Sequence, residues 1–214
     1  GINSALQPNL SLALGTSEVT PLELTAAYAT FANGGQSVLP YVIREVRQTN
    51  GKVVYARKAA NLGPVIQPQN LAMINTMFNG VMNGGTGSKF NIPGWQVGGK
   101  SGTTQDYGDA WFVGFTAKLV TAVWVGNDDN SKMKRVTGAG LPGEIWGKYM
   151  KAAHAGAQPV PLPGGLWQGA PKAIGDGAPV ADARVPAQAQ PQGDSGWVRP
   201  APQEKNFFER LFGG

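Results

Sequence analysis

Apolar residues along this chain recur with two different periods. After Thr20-Pro21-Leu22-Glu23, the residues Leu24, Ala27, Tyr28 and Phe31 fall at helical spacing. Thr20 and Glu23 form a capping box, Pro21 suits the first helical position, and Gly34-Gly35 ends the run. The helical period returns after Pro68, with Leu71, Ile74, Met77, Phe78, Val81 and Met82 on one face, and stops at Gly84-Gly85. A last helix is expected from Glu144 to His154, carrying Ile145, Trp146, Tyr149 and Met150. Elsewhere the period falls to two. Val38 to Arg47 and Lys52 to Ala56 flank Asn50-Gly51, a hairpin signal. Gln96 to Thr104, Asp109 to Thr116 and Leu119 to Val125 read as three more strands. The turns 105–108 and 117–118 are too short for parallel crossovers, so these strands form an antiparallel meander. The pattern is α+β: a three-strand antiparallel sheet flanked by helices.

From Gly156 the character changes. Nine of the 16 prolines lie in 159–202, among Ala, Gly and Gln, without apolar periodicity. Such a segment buries too little apolar area to offset its ordering entropy. The expected division is therefore a folded domain over 1–155 and a disordered tail over 156–214. Near the end, Phe207, Phe208, Leu211 and Phe212 share one helical face. That face suits either a frayed turn or a short helix docking on a partner protein or on a membrane surface.

Composition narrows the chemistry. The 214 residues include 18 Lys+Arg, 13 Asp+Glu, one His and no Cys. A thiol nucleophile, a zinc–thiolate site and a multi-histidine metal site are excluded. The net charge of +5 is too dilute for a nucleic-acid footprint. Lys132, Lys134 and Arg135 read as a solvated loop, Asp128-Asp129 as turn chemistry, and Trp111 and Trp124 as sheet packing. His154 is expected at the surface, near the negative end of the last helix. No stretch approaches the ~18 consecutive apolar residues of a membrane span.

Two motif matches are decoys. Gly94 to Ser101 fits the phosphate-loop pattern Gly-x-x-x-x-Gly-Lys-Ser. No buried strand precedes it, and Gly102, Thr103, Thr104 and Gly108 are poor material for the helix it needs. Ser131-Lys132-Met133-Lys134 fits Ser-x-x-Lys, whose serine must open a buried helix so that the lysine reaches it one turn on. Its neighbours, Gly126 to Asn130 and Arg135 to Gly138, read as loop.

The remaining candidate is Lys100-Ser101-Gly102-Thr103. Strand alternation places Lys100 with Gly102 on one side and Ser101 with Thr103 on the other. A fixed ammonium near a serine hydroxyl favours the alkoxide and supports proton transfer. Gly102 leaves room for a substrate backbone. Hydroxyls at Ser101, Thr103 and Thr104 can hold a carboxylate, an exposed backbone N–H can stabilise an oxyanion, and an extended peptide can add to the strand edge. This chemistry calls for no metal and no cofactor.

The surrounding residues extend the picture. Lys100 to Thr104 leading into Asp109-Ala110-Trp111-Phe112-Val113-Gly114-Phe115-Thr116, then Val123-Trp124-Val125-Gly126-Asn127-Asp128, resembles the C-terminal half of the transpeptidase domain of class A penicillin-binding proteins. Ala13 to Leu24, Tyr28 to Gly35 and Gly84-Gly85-Thr86-Gly87 are similar to that family in the same order, so the resemblance covers about residues 4–155. It implies part of a penicillin-binding/serine β-lactamase-like fold. It also implies a serine acyl transfer that cross-links peptidoglycan stem peptides ending in D-Ala-D-Ala, with β-lactams as competing ligands, on the periplasmic face of the inner membrane. There, the partner expected for the Phe207–Phe212 face belongs to the cell-wall machinery. By the family's Lys-Ser/Thr-Gly motif, Lys100 handles charge and protons, Ser101 and Thr103 bind the terminal carboxylate, the Thr103 N–H faces the oxyanion, and Thr104 lies beside them. A departure accompanies the match. Ser4, Ser11, Ser17, Ser37 and Ser88 precede Lys100, and none begins the family's Ser-x-x-Lys or Ser-x-Asn. The chain is thus expected to be a C-terminal portion, inactive alone, whose upstream part brings the nucleophile, two further strands and the membrane anchor. A β-lactamase-like hydrolase and a noncatalytic peptide-binding module are the alternatives.

Overall fold

The computed structural model describes residues 1–58 and 62–169. Its centre is an antiparallel sheet in the order β3-β4-β5, from Gly98–Thr103 (β3), Asp109–Phe115 (β4) and Val120–Gly126 (β5). Three helices accompany it: Pro21–Ala32 (α1), Pro68–Met82 (α2) and Leu141–Ala153 (α3). The fold is α+β, with the meander the sequence implies. The helix α3 starts three residues earlier than expected, because Pro142 fits the first turn, where its missing N–H costs nothing.

Alternation along β4 creates two cores. Phe112 points to one face and packs with Met82, Phe90, Val97, Trp146 and Met150. Phe115 points to the other and packs with Tyr28, Phe31, Phe78 and Val120. Helix α3 therefore covers one side of the sheet and α1 the other.

The α1 capping box forms as expected, and it does more than cap. The Glu23 carboxylate accepts from Thr20 N (3.1 Å) and from the Thr20 hydroxyl (2.9 Å). It also accepts from Ser4 Oγ (2.6 Å), Asn3 N (2.8 Å) and Ser4 N (3.0 Å), tying down the N-terminal segment. These donors, led by the Ser4 hydroxyl, lower its pKa from 4.5 to about 2. A depressed carboxyl stabilises the fold fully above its unfolded value and progressively less as pH falls toward its folded one. Acid titration should therefore show a loss of thermal stability between pH 4.5 and about 2 that Glu23→Gln reduces. Identical acid profiles for the two proteins would show that this carboxylate anchors nothing.

Three expectations need correction. The strand expected over 38–47 contains only Glu45–Arg47 (β1), paired with Val53–Ala56 (β2). Pro40 cannot serve a ladder, and a register shift falls between Val46 and Arg47. Residues 156–169 are not tail. Leu162 is buried in the α1-side core, its N–H donates to Gln96 Oε1 (2.9 Å), and the Trp167 N–H donates to Thr76 Oγ1 (2.8 Å). This strap has no periodicity because it borrows its acceptors from α2 and the segment before β3. Positions 170–214, including the Phe207–Phe212 face, lie outside the described residues. His154 is buried at 6% exposure. Its Nδ1 donates to Met150 O (2.7 Å), its Nε2 meets Thr116 Oγ1 (2.9 Å), and Trp95 packs edge-on at 4.3 Å. A fully partnered imidazole needs no solvent, so its place near a helix end was misleading.

Candidate active-site wall

β3 is an edge strand, and its polar groups divide cleanly. Thr104 N donates to Asp109 O (3.0 Å), closing the β3–β4 turn. Ladder bonds in an antiparallel pair alternate, so residues 104, 102 and 100 bond inward to β4. The backbone N–H and C=O of Ser101 and Thr103 consequently point out of the sheet edge. Lys100 is exposed on the α1 face, and its ammonium reaches the rim, donating to Ser101 O at 2.5 Å. Ser101 and Thr103 stand on the α3 face, as alternation predicts.

Each remaining side chain has a definite partner. Ser101 Oγ lies 3.2 Å from Thr86 Oγ1. Thr86 sits in the turn after α2, so the helix end helps orient the serine hydroxyl. Nothing in the stretch Gly84-Gly85-Thr86-Gly87 signals this contact, because Thr86 meets Ser101 across 15 residues of chain. Thr103 Oγ1 accepts from Gly138 N at 3.0 Å, which leaves its own proton to donate. Thr104 Oγ1 accepts from Asp109 N at 2.7 Å and faces Asp109 O at 3.4 Å. The Thr104 side chain is thus committed to the turn, and a carboxylate grip rests on Ser101 and Thr103. A Cβ at Gly102 would meet only Trp111 Cβ, at 3.5 Å, an ordinary contact. Packing does not demand glycine there; the vacant space faces the same side as Lys100.

The loop before α3 presses onto this wall. A Cβ at Gly138 would lie 2.2 Å from Trp111 O and 2.4 Å from Gly102 O, both backbone atoms that cannot step aside. Gly138→Ala should lower stability by about 1–3 kcal/mol and free the Thr103 hydroxyl. Gly84→Ala, with nothing within 4 Å, should change the thermal midpoint little. Equal midpoints for the two variants would refute the close approach. Beyond Thr104, Asp106 and Tyr107 adopt left-handed φ angles of 61° and 60°, and Asn130 and Arg135 do so across from them. Met133 N donates to Tyr107 O (3.0 Å) and Lys132 pairs with Asp106 (3.1 Å), joining the two strained loops into a lip.

The decoys resolve as expected. Positions 98–101 belong to β3, which is followed by one short, kinked 3-10 turn over Gln105–Tyr107 and then β4, with no α-helix, and Ser131 to Lys134 form a largely exposed, non-helical loop. Asp129 accepts from Ser131 N (3.0 Å) within its turn, and hydrogen bonding by the Ser131 hydroxyl first and its N–H second holds the carboxyl below its ordinary pKa. Trp111 and Trp124 are directly opposed across strands, centroids 6.3 Å apart, and Trp124 Nε1 donates to Asp109 Oδ1 (2.8 Å). Trp124 remains 38% exposed.

The pattern of the penicillin-binding protein transpeptidase domain matches residues 3–151. The chain belongs to this family. Penicillin-binding protein 1A of Aquifex aeolicus is 41% identical over 147 residues, covering 68% of this chain and 20% of the relative. The protein of the same name from Neisseria meningitidis is 37% identical over 162 residues, 73% of this chain and 20% of the relative. The chain thus spans about a fifth of the length of these curated relatives. Among solved structures, the penicillin-binding protein PonA1 from Mycobacterium tuberculosis superposes with a TM-score of 0.68 at 27% identity, over 81% of this chain and 52% of that one. Penicillin-binding protein 1A from Haemophilus influenzae gives 0.64 at 28% identity, over 73% and 30%. PonA1 has also been solved with penicillin V. In this transpeptidase fold, β3 is the strand that bears the Lys-Ser-Gly residues.

Proposed function

We propose that this chain supplies the Lys-Ser-Gly wall of a serine D,D-transpeptidase that cross-links peptidoglycan stem peptides on the extracytoplasmic face. The observation that carries it is the rim of β3. One ammonium, two orientable hydroxyls and outward backbone N–H groups line an unpaired strand edge beside a space that packing leaves empty. A stem peptide laid along this edge pairs with it as an added strand. Its terminal carboxylate receives the Ser101 and Thr103 hydroxyls and the field of Lys100. The serine oxygen attacks the penultimate D-Ala carbonyl and hands its proton to a general base of the intact enzyme, which passes it on to the leaving amine. The carbonyl oxygen becomes an oxyanion facing the Thr103 N–H, a donor of a kind typically worth ~3–4 kcal/mol of barrier. The C–N bond breaks, the terminal D-Ala leaves with a proton, and an acceptor amine displaces the serine. A β-lactam carbonyl follows the first half of this course, and the penicillin V complex of PonA1 supports that ligand class.

Among the described residues no serine opens a helix with a lysine one turn on, and the chain spans about a fifth of its curated relatives, so this reading takes the attacking oxygen from the rest of the intact enzyme. No described helix is long and apolar enough to cross a membrane. Fluorescent penicillin should therefore leave these 214 residues unlabelled and label the intact protein one-to-one, with a stable adduct rather than turnover. Stoichiometric labelling of a serine within this chain would overturn the assignment. Rapid hydrolysis by the intact protein would favour the hydrolase, and peptide affinity without acylation the binding module.

A further inference from the structure

The hairpin β1–β2 stands apart from both cores. Its strands bury no full face: Glu45–Arg47 is exposed throughout, and only Tyr55 of Val53–Ala56 is half-covered. A two-stranded ribbon without a hydrophobic face is marginal by itself. Leu39, Val42, Ile43 and Val54 are also exposed, Val42 at 97%. The charge is equally uneven. Between Arg44 and Lys58 lie five basic side chains and one acidic, a net +4 within a chain of net +5. Its lone acid, Glu45, already pairs with Arg47.

These features converge on a cavity of about 330 Å³, lined by Asn33, Ser37, Val38, Leu39, Tyr41, Arg44 and Arg57. The Arg57 guanidinium lies 3.9 Å above the Tyr41 ring and donates to Leu39 O at 3.3 Å, so it is held in place. Arg57 N donates to Arg44 O (2.9 Å), which sets the two arginines side by side. No acidic residue lines the cavity, and among the described residues Arg44 makes no ion pair.

We infer that this hairpin is a docking surface for an extended acidic segment of a partner protein, with one carboxylate seated between Arg44 and Arg57 and alternate apolar side chains covering Leu39, Val42 and Ile43. Arginine forks match carboxylates bidentately. A free small anion would leave the apolar residues in water. A lipid surface is the poorer fit, because residues 36–66 contain no Trp or Phe to sit at a membrane interface. The period of two in such a segment matches the extended ribbon it would lie against.

The test uses a fluorescein-labelled peptide of alternating Glu and Val, with its Lys–Val counterpart and phosphatidylglycerol vesicles as comparisons. It reads binding to the intact protein and to Arg44→Glu/Arg57→Glu. The expected result is saturable binding of the Glu–Val peptide, weakened by added salt and at least tenfold by the double reversal, with the Lys–Val peptide inactive. Arg44 is exposed and Arg57 half-buried over Tyr41, so the thermal midpoint of the variant is read alongside as a check on folding, and its penicillin labelling should match that of the parent. That labelling separates failure here from failure of the acyl-transfer assignment. No Glu–Val binding at millimolar peptide, equal binding of the two peptides, or indifference to the reversal overturns the inference. Vesicle binding that the peptide does not compete for, lost in the variant, overturns it in favour of a membrane surface.

Discussion

Lys100→Ala should lower the rate of β-lactam acylation of the intact protein by about 10²–10⁴-fold, the range of a positioned proton-transfer group. The ammonium stands on the sheet rim and touches only Ser101 O among the contacts described. Its removal leaves no cavity, so stability should stay within about 0.5 kcal/mol of the parent. Lys100→Arg should recover little, because a planar, permanently charged fork cannot take the place of a compact ammonium that exchanges protons. Rapid-quench labelling with fluorescent penicillin measures the rate, and circular dichroism confirms the fold. An acylation rate within a few-fold of the parent would remove Lys100 from the mechanism.

The largest loss of stability should follow Trp146→Ala, at about 3–5 kcal/mol. Trp146 is fully buried on α3, 5.2 Å from the Phe112 ring. Its Nε1 donates to Thr121 O (3.1 Å) and Gly114 O (3.3 Å), pinning the helix to β5 and β4 at once. Gly114 leaves room for the indole, since a Cβ there would lie 2.6 Å from the ring. Truncation would open a cavity and leave two carbonyls short of a donor. Trp146→Phe fills most of the volume but lacks the indole donor to Gly114 O and Thr121 O, so it should cost less, though measurably. Thermal or urea unfolding separates the three proteins. Equal stability of the Ala and Phe variants would show that packing contributes little here. The two predictions are complementary: Lys100 should matter to chemistry and hardly to folding, Trp146 to folding first.

Much of this arrangement is legible residue by residue. Thr20, Pro21 and Glu23 announce α1 because capping is local: three residues supply both donors and acceptors. The meander is legible because two short turns exclude any parallel connection. The division of Lys100 from Ser101 follows from the pleat alone, and register with β4 leaves it unchanged. The errors share a cause. Pro40 and a bulge cut short a strand whose composition reads as continuous. Leu162 and Trp167 lie in a proline-rich stretch without periodicity, yet they are held by Gln96 and Thr76, residues far away in sequence. His154 looks exposed at a helix end and is buried because Thr116, Met150 and Trp95 surround it.

By itself, then, the sequence determined what depends on neighbours within a few residues: element type, caps, turn lengths, the faces of a strand, and the local text that marks the family. Only the tertiary structure decided which hydroxyls remain available on the wall, because Thr104 is claimed by Asp109, whereas Thr103 accepts from Gly138 and keeps its proton to donate, and Ser101 gains Thr86. It also decided that two basic residues of the hairpin, Arg44 and Arg57, meet around one cavity. Hydrogen bonds and charge act through distances in space, and a chain folded back on itself makes neighbours of residues that no spacing rule connects.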